Sequence, residues 1–226
     1  MDPQRTLTQQ QLFFRQFIRN PFQTGAILPS SAALGRAMVA YLAQKQGRVD
    51  VLEVGAGSGA FTTAIIPLLE PGDTLDVVEI NPELMAFLQR RLSREALPRA
   101  GGVTIRFIND DVRNVPFEHN YDYIVFSLPL TNFPLAMVQD ILERMINHLK
   151  PGGVFGYVKY IGLGRLKYLA SGPAARADMR AKQAFMDRLA RQYQVERRAV
   201  LRSLPPAWTF YWRKPPGDDE PAARNP

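Results

Sequence analysis

Residues 51–62 read VLEVGAGSGAFT. Asp50 to Val54 is a short apolar run that ends directly in Gly55, Gly57 and Gly59. An apolar run of this length, closed by glycines, predicts a buried strand of a parallel sheet. The glycines permit a tight turn and a close backbone approach by a ligand. Gly59 to Leu69 should continue as a helix, so the stretch predicts a strand–turn–helix unit.

Working outward, Thr74 to Ile80 (TLDVVEI) predicts a second strand, and Pro82 opens a helix at its first turn. Val103 to Asn109 is a third strand and Tyr121 to Ser127 (YDYIVFS) a fourth. Phe133 to Leu149 should be helical and stop at Lys150-Pro-Gly-Gly, ahead of a fifth strand at Val154 to Tyr160. Pro173 to Tyr193 is helical. Two further runs, Gln194–Ser203 and Trp208–Lys214, flank Pro205-Pro206. They lie too close together for a helical crossover and should form an antiparallel hairpin at the sheet edge. Alternating strands and helices predict an α/β fold: a Rossmann-like, doubly wound, seven-stranded and mostly parallel sheet with an antiparallel terminal hairpin, plus N-terminal helices. No internal repeat and no second domain is expected.

The 226 residues are 46% hydrophobic, enough for one well-packed domain. Cysteine is absent, which removes disulfides and thiolate metal sites. The first residues carry no apolar region of the secretory kind, and no stretch approaches the ~20 apolar residues of a membrane span. The net charge of +7 is unevenly spread. Pro3 to Val49 holds six basic residues and no acid, Asp50 to Asp122 twelve acids and six bases, and Lys159 to Arg198 ten bases and three acids. An acidic middle between basic segments suggests that those segments meet something anionic.

Glu79 ends the second strand, where a carboxylate can accept hydrogen bonds from ribose hydroxyls. A glycine loop after strand one plus an acid after strand two is a stronger signal than either alone. NAD fingerprints run G-x-G-x-x-G, whereas here the third glycine comes one residue sooner. Glu53 precedes the loop, and Asp110-Asp111-Val112 follows the third strand. This set closely resembles the class I S-adenosylmethionine (SAM)-dependent methyltransferases. The resemblance implies that Gly55, Gly57 and Gly59 line the methionine portion of SAM, that Glu79 holds the ribose and that Asp111 holds the adenine, with Asp110 as the competing choice. Gly25, Glu53, Ile80, Val112 and Ser127 complete the implied cofactor-binding set, with S-adenosylhomocysteine as product.

The fourth strand ends in Ser127-Leu128-Pro129-Leu130. In adenine amino-methyltransferases the corresponding place resembles Asn/Asp/Ser-Pro-Pro-Tyr/Phe, whose aromatic ring stacks on the base. Leu130 removes the ring that a flipped base needs, while the carbonyl positions that bind an amine survive. The acceptor is therefore expected to be an amine other than a nucleobase, with Ser127, Leu128 and Tyr160 in the catalytic set. Tyr157 and Tyr160 should point to opposite faces of the fifth strand. Tyr160 is preferred for a cation–π contact with the acceptor. His119 and His148 have no ligand cluster around them, so no metal is expected.

Residues 13–31, FFRQFIRNPFQTGAILPSS, put Phe13, Phe14, Phe17 and Ile18 on one helical face and Arg15, Gln16 and Arg19 on the other. A basic amphipathic helix of this kind can lie in a membrane interface; the plainer alternative is a roof over the SAM pocket. Together with RNPFQTGAILPSSAALGRAM and FSLPLTNFP, the chain resembles the soluble bacterial phospholipid N-methyltransferases over roughly residues 10–160. It is similar, more distantly, to ornithine-lipid N-methyltransferases and ribosomal RNA adenine dimethylases. The resemblance implies stepwise methylation of phosphatidylethanolamine toward phosphatidylcholine. It also implies a cytoplasmic enzyme held at the inner face of an anionic phospholipid membrane, with no stable protein partner and no nucleic-acid partner. The organisation expected is residues 1–48 as amphipathic helix and cap, 49–214 as the methyltransferase domain and 215–226 as a disordered tail.

Overall fold

A computed structural model describes residues 32–95, 101–161, 171–203 and 205–216. The chain builds a seven-stranded sheet in the order β3-β2-β1-β4-β5-β7-β6. The strands are β1 (Asp50–Val54), β2 (Thr74–Val78), β3 (Thr104–Ile108), β4 (Tyr121–Phe126), β5 (Leu149–Tyr160), β6 (Gln194–Val200) and β7 (Ala207–Arg213). β1 to β5 run parallel, while β7 lies antiparallel between β5 and β6. The expected terminal hairpin is present, with its second strand against the parallel sheet and its first strand at the edge.

The described helices are α1 (Ala32–Met38), α2 (Thr62–Ile65), α3 (Pro82–Glu95), α4 (Leu135–Asn147) and α5 (Pro173–Tyr193). Strand side chains alternate between faces, so β1 sends Leu52 and Val54 into one core and Val51 into the other. The first core takes Ile141, Leu142 and Met145 from α4 and Phe185 and Leu189 from α5. The second takes Leu34 and Met38 from α1, Ile65 from α2 and Leu88 and Leu92 from α3. Helices thus cover both faces of the sheet.

Most boundaries move by one to three residues, and two differ more. The helix read over Gly59 to Leu69 is only α2 followed by a 3₁₀ turn, Ile66–Leu68. Pro67 has no N–H to continue an α-helical ladder, and the glycine turn extends the loop on the other side. Lys150-Pro-Gly-Gly is not a separate loop, since β5 already begins at Leu149 and takes up the irregularity as a register shift against Tyr121 and Tyr123. Lys150 Nζ donates to Asp50 and Asp122, 2.8 Å from each, which fixes that start against the neighbouring strands.

Among the described residues no helix is long and apolar enough to cross a membrane. The proposed membrane residues Phe13, Phe14, Arg15, Phe17, Ile18 and Arg19 lie outside the described residues, as do Gly25 and residues 162–170 and 217–226.

Candidate active site

The loop Gly55–Gly59 leaves β1 at the carboxyl end of the parallel strands, between β2 and β4. All three glycines have positive φ: 79° at Gly55, 56° at Gly57 and 86° at Gly59. Their surroundings differ. A Cβ on Gly55 would lie 2.6 Å from Leu128 Cδ2, and one on Gly59 2.3 Å from Leu88 Cδ1. At Gly57 it would meet nothing nearer than the Gly55 carbonyl, at 3.9 Å. Gly55 and Gly59 are closed in by protein, whereas Gly57 faces open space of the kind a ligand needs.

Glu79 follows β2 and is 7% exposed. Its carboxylate accepts from the Gly57 N–H at 2.8 Å and the Asn81 N–H at 2.9 Å, binding the acid to the glycine loop. Asn81 in turn accepts from the N–H groups of Glu83 and Leu84, capping α3, a role the sequence reading missed. Asn three residues before Leu84 and just ahead of Pro82 was the available signal. Burial pushes the Glu79 carboxyl above its ordinary pKa, against the pull of these backbone donors.

Glu53 is wholly buried, and neither of its oxygens reaches a partner at full hydrogen-bond geometry. Burial pushes its pKa up to about 7; the Thr62 hydroxyl and amide pull the other way and the Glu79 charge adds to the rise. The Thr62 hydroxyl also lacks a fully formed bond, so Thr62 lies near the carboxyl but does not satisfy it. A buried, unsatisfied carboxyl on the strand that feeds the glycine loop fits a cationic ligand group.

Asp111 is buried and engages Arg113 through both oxygens, while Asp110 is exposed and accepts from the Asp111 N–H at 2.7 Å. The two adenine candidates thus differ in freedom. Val112 is buried beside them and Ile80 packs partly into the core, where they can bound a flat ring.

Ser127 follows β4. Its hydroxyl donates to the Gly55 carbonyl at 2.6 Å, tying the acceptor motif to the glycine loop. Leu128 lies over Gly55 and Leu130 packs against the first core. Tyr157 and Tyr160 face opposite sides as expected. Tyr157 is 7% exposed and stacks on Phe210 at 4.8 Å. Tyr160 packs partly against the other core, beyond the end of β4.

Past the motif, Lys182 of α5 donates to the Phe133 carbonyl at 2.8 Å and pairs with Asp178 at 2.8 Å. Asp178 accepts from the Leu135 N–H at 3.3 Å. This latch pins α5 to the loop after β4 and to the start of α4. A cavity of about 340 Å³ opens beside it, lined by Phe133, Pro134, Ala175, Met179 and the ion pair itself. His119 lies tilted against Tyr121 at 4.7 Å and His148 lies against Phe117 at 4.9 Å. Among the described residues no group of acids and histidines could hold a metal.

The family model described as a methyltransferase domain matches residues 51–153. Ornithine lipid N-methyltransferase of Singulisphaera acidiphila is 26% identical over 147 residues, covering 65% of this chain and 76% of that protein. Protein-L-isoaspartate O-methyltransferase of Methanopyrus kandleri is 28% identical over 67% of this chain, which spans only 62% of that relative's length. The N-methyltransferase NodS of Bradyrhizobium japonicum, solved with S-adenosylhomocysteine, superposes with a TM-score of 0.56 at 17% identity, over 82% of this chain and 89% of its own. At that identity the likeness is one of fold. Over residues 51–153, then, this chain is similar to a methyltransferase domain, and its fold is shared with solved methyltransferases.

Proposed function

We propose that the protein is a SAM-dependent N-methyltransferase that methylates the amine of phosphatidylethanolamine, and of its methylated intermediates, at a membrane surface. SAM supplies an electrophilic methyl on a sulfonium. Glu79 accepts the ribose hydroxyls, Glu53 faces the cationic methionine end, and Asp111 or Asp110 meets the adenine. Leu128, packed on Gly55, keeps water from the reacting amine. The proton of Ser127 is committed to the Gly55 carbonyl, so its lone pairs are left to accept an amine N–H. The nucleophile must be neutral, and a lipid ammonium with a pKa near ~10 is favoured in that state by desolvation. Orientation and proximity then supply most of the acceleration.

The observation that carries the amine-lipid reading is the absence of a stacking ring at the acceptor motif. Leu130 stands where a base-methylating site has an aromatic, and the next ring, Phe133, is 1% exposed and committed to the core. A flipped base would find no aromatic face there. The N-terminal segment Phe13–Arg19 supports the membrane part by its amphipathic pattern. A second reading, an ornithine-lipid amine as acceptor, is favoured by the relative named for that activity.

Methyl transfer from labelled SAM tests these readings when vesicles of phosphatidylethanolamine, vesicles of ornithine lipid and ribosomal RNA are offered in parallel. Label in phosphatidylethanolamine is the expected result. Label in ornithine lipid alone moves the assignment to the second reading, and label only in RNA overturns both.

A further inference from the structure

The exposed aliphatic side chains at one corner of the sheet are unusual for a folded surface. Leu201, the first residue beyond β6, is 72% exposed, and Ile161, the first beyond β5, is 38% exposed. They belong to one corner. The Ile161 N–H donates to the Pro206 carbonyl at 2.8 Å, and Ser203, two residues after Leu201, is buried at 2%. Around them lie cations. Arg202 is exposed and makes no ion pair among the described residues, and Arg197 stacks over the Trp208 ring at 5.0 Å. Lys159 is exposed on β5, directly opposite Trp208 in the strand register. The one acid of this edge strand, Glu196, is already held by Arg198 and by the Tyr41 hydroxyl.

Strand direction places this corner. β5 and β6 both end on the side where β1 and β4 release the glycine loop and the Ser127 motif. Three strand spacings separate β6 from β4, a lateral distance of about 14 Å.

We propose that the β6–β7 corner, with Leu201 and Ile161 as its apolar tip and Lys159, Arg197 and Arg202 as its charged rim, docks onto an anionic lipid surface. Cations draw the corner to the head groups, and the aliphatic tips and Trp208 then enter the interface. A polynucleotide would use the arginines but gains nothing from an exposed leucine and isoleucine. This inference rests on the reading of the enzyme as acting on a lipid amine. It adds a second point of contact, separate from Phe13–Arg19, that turns the acceptor side of the sheet toward the bilayer.

The test is co-sedimentation of the full chain with phosphatidylcholine vesicles with and without phosphatidylglycerol. Leu201→Asp should reduce partitioning onto anionic vesicles about tenfold, with SAM affinity and melting temperature unchanged. Arg197→Glu with Arg202→Glu should reduce it at low salt and flatten its salt dependence. Methyl transfer to a monomeric short-chain phosphatidylethanolamine should be the same in Leu201→Asp and parent, while transfer to anionic vesicles falls. If Leu201→Asp partitions like the parent, the corner is not a membrane contact. The proposal is equally overturned if only the arginine variants lose binding and the ligand they lose is RNA. If Leu201→Asp loses vesicle binding but the parent methylates no amine lipid in either form, the docking surface stands and the enzymatic reading fails.

Discussion

In the parallel half of the sheet, β3-β2-β1-β4, the buried charges are acids. Glu53, Asp73, Asp76, Glu79 and Asp111 are all at least nine-tenths buried. Some are matched: Asp76 holds Arg106 through two bonds, at 2.6 and 2.7 Å, and accepts from the Tyr121 hydroxyl. In the hairpin half, β5-β7-β6, cations lie on rings instead. Arg197 covers Trp208, Arg198 covers Tyr211 at 5.4 Å and Arg213 covers Tyr41 at 5.5 Å. Buried acids cost stability unless something positive meets them. Lys45, Arg106 and Arg113 meet Asp73, Asp76 and Asp111, which leaves Glu53 and Glu79 beside the glycine loop without a cation among the described residues. Arg197, exposed on its aromatic face, stays solvated and costs little, so it can line an outer surface that awaits anions. The acidic middle and basic end of the sequence thus become two ends of one sheet.

The sharpest way to break this comparison is within the glycine loop. Gly59→Ala combines left-handed backbone strain with a clash against Leu88, which is fully buried and cannot swing away. It should cost about 3–4 kcal/mol in urea denaturation. Gly57→Ala has the strain without the clash and should cost about 1 kcal/mol, while weakening SAM more than tenfold in titration calorimetry. Equal stability losses at the two positions would remove the distinction between a packed and a ligand-facing glycine.

Glu53 gives a pH signature of similar size. Its folded pKa of about 7 stands above the ordinary 4.5, so the native state binds more protons than the unfolded one between those values. Stability is full below pH 4.5 and falls as pH rises to about 7, by on the order of 3 kcal/mol. Glu53→Gln should remove most of this slope, leaving the part due to Glu79, and make the cofactor-free protein more stable than the parent at pH 8, measured by thermal melts across pH. Retention of the full slope in the variant would reassign it to other groups.

These acids also show how legible the chain was. Glu79 was readable because an acid after the second strand, following a glycine loop, is a pattern with a physical reason, and the structure ties it to Gly57. The strands and the antiparallel hairpin were readable from apolar runs and connection lengths, whereas the strand order came only with the fold. The Lys182–Asp178 latch, the Ser127–Gly55 bond and the exposure of Leu201 were not, because each depends on residues brought together only by the fold. The choice between Asp110 and Asp111 rested on pattern alone. The Arg113 pairing that distinguishes them involves an arginine two residues away whose direction no periodicity fixes.

A smaller effect is expected from Glu79→Ala, which removes the proposed ribose acceptor and frees the Gly57 N–H. SAM affinity should fall by about 2 kcal/mol, roughly thirtyfold. Undiminished affinity in a folded variant would sink the cofactor assignment. The smallest concerns the hairpin half: Arg197→Ala removes an exposed cation–π contact and should cost ~0.5–1 kcal/mol. A loss of several kcal/mol would mean that the arginines hold the fold rather than dress its surface.

The latch between α5 and the loop after β4 has a kinetic consequence. Lys182 bonds the carbonyl of Phe133 and Asp178 the amide of Leu135, so the loop beyond Ser127 and a 21-residue helix are mechanically one part. Widening the entrance there means either dissolving an ion pair or swinging the whole helix as a lever. An acceptor held in the neighbouring cavity would then have its residence time set by that larger motion.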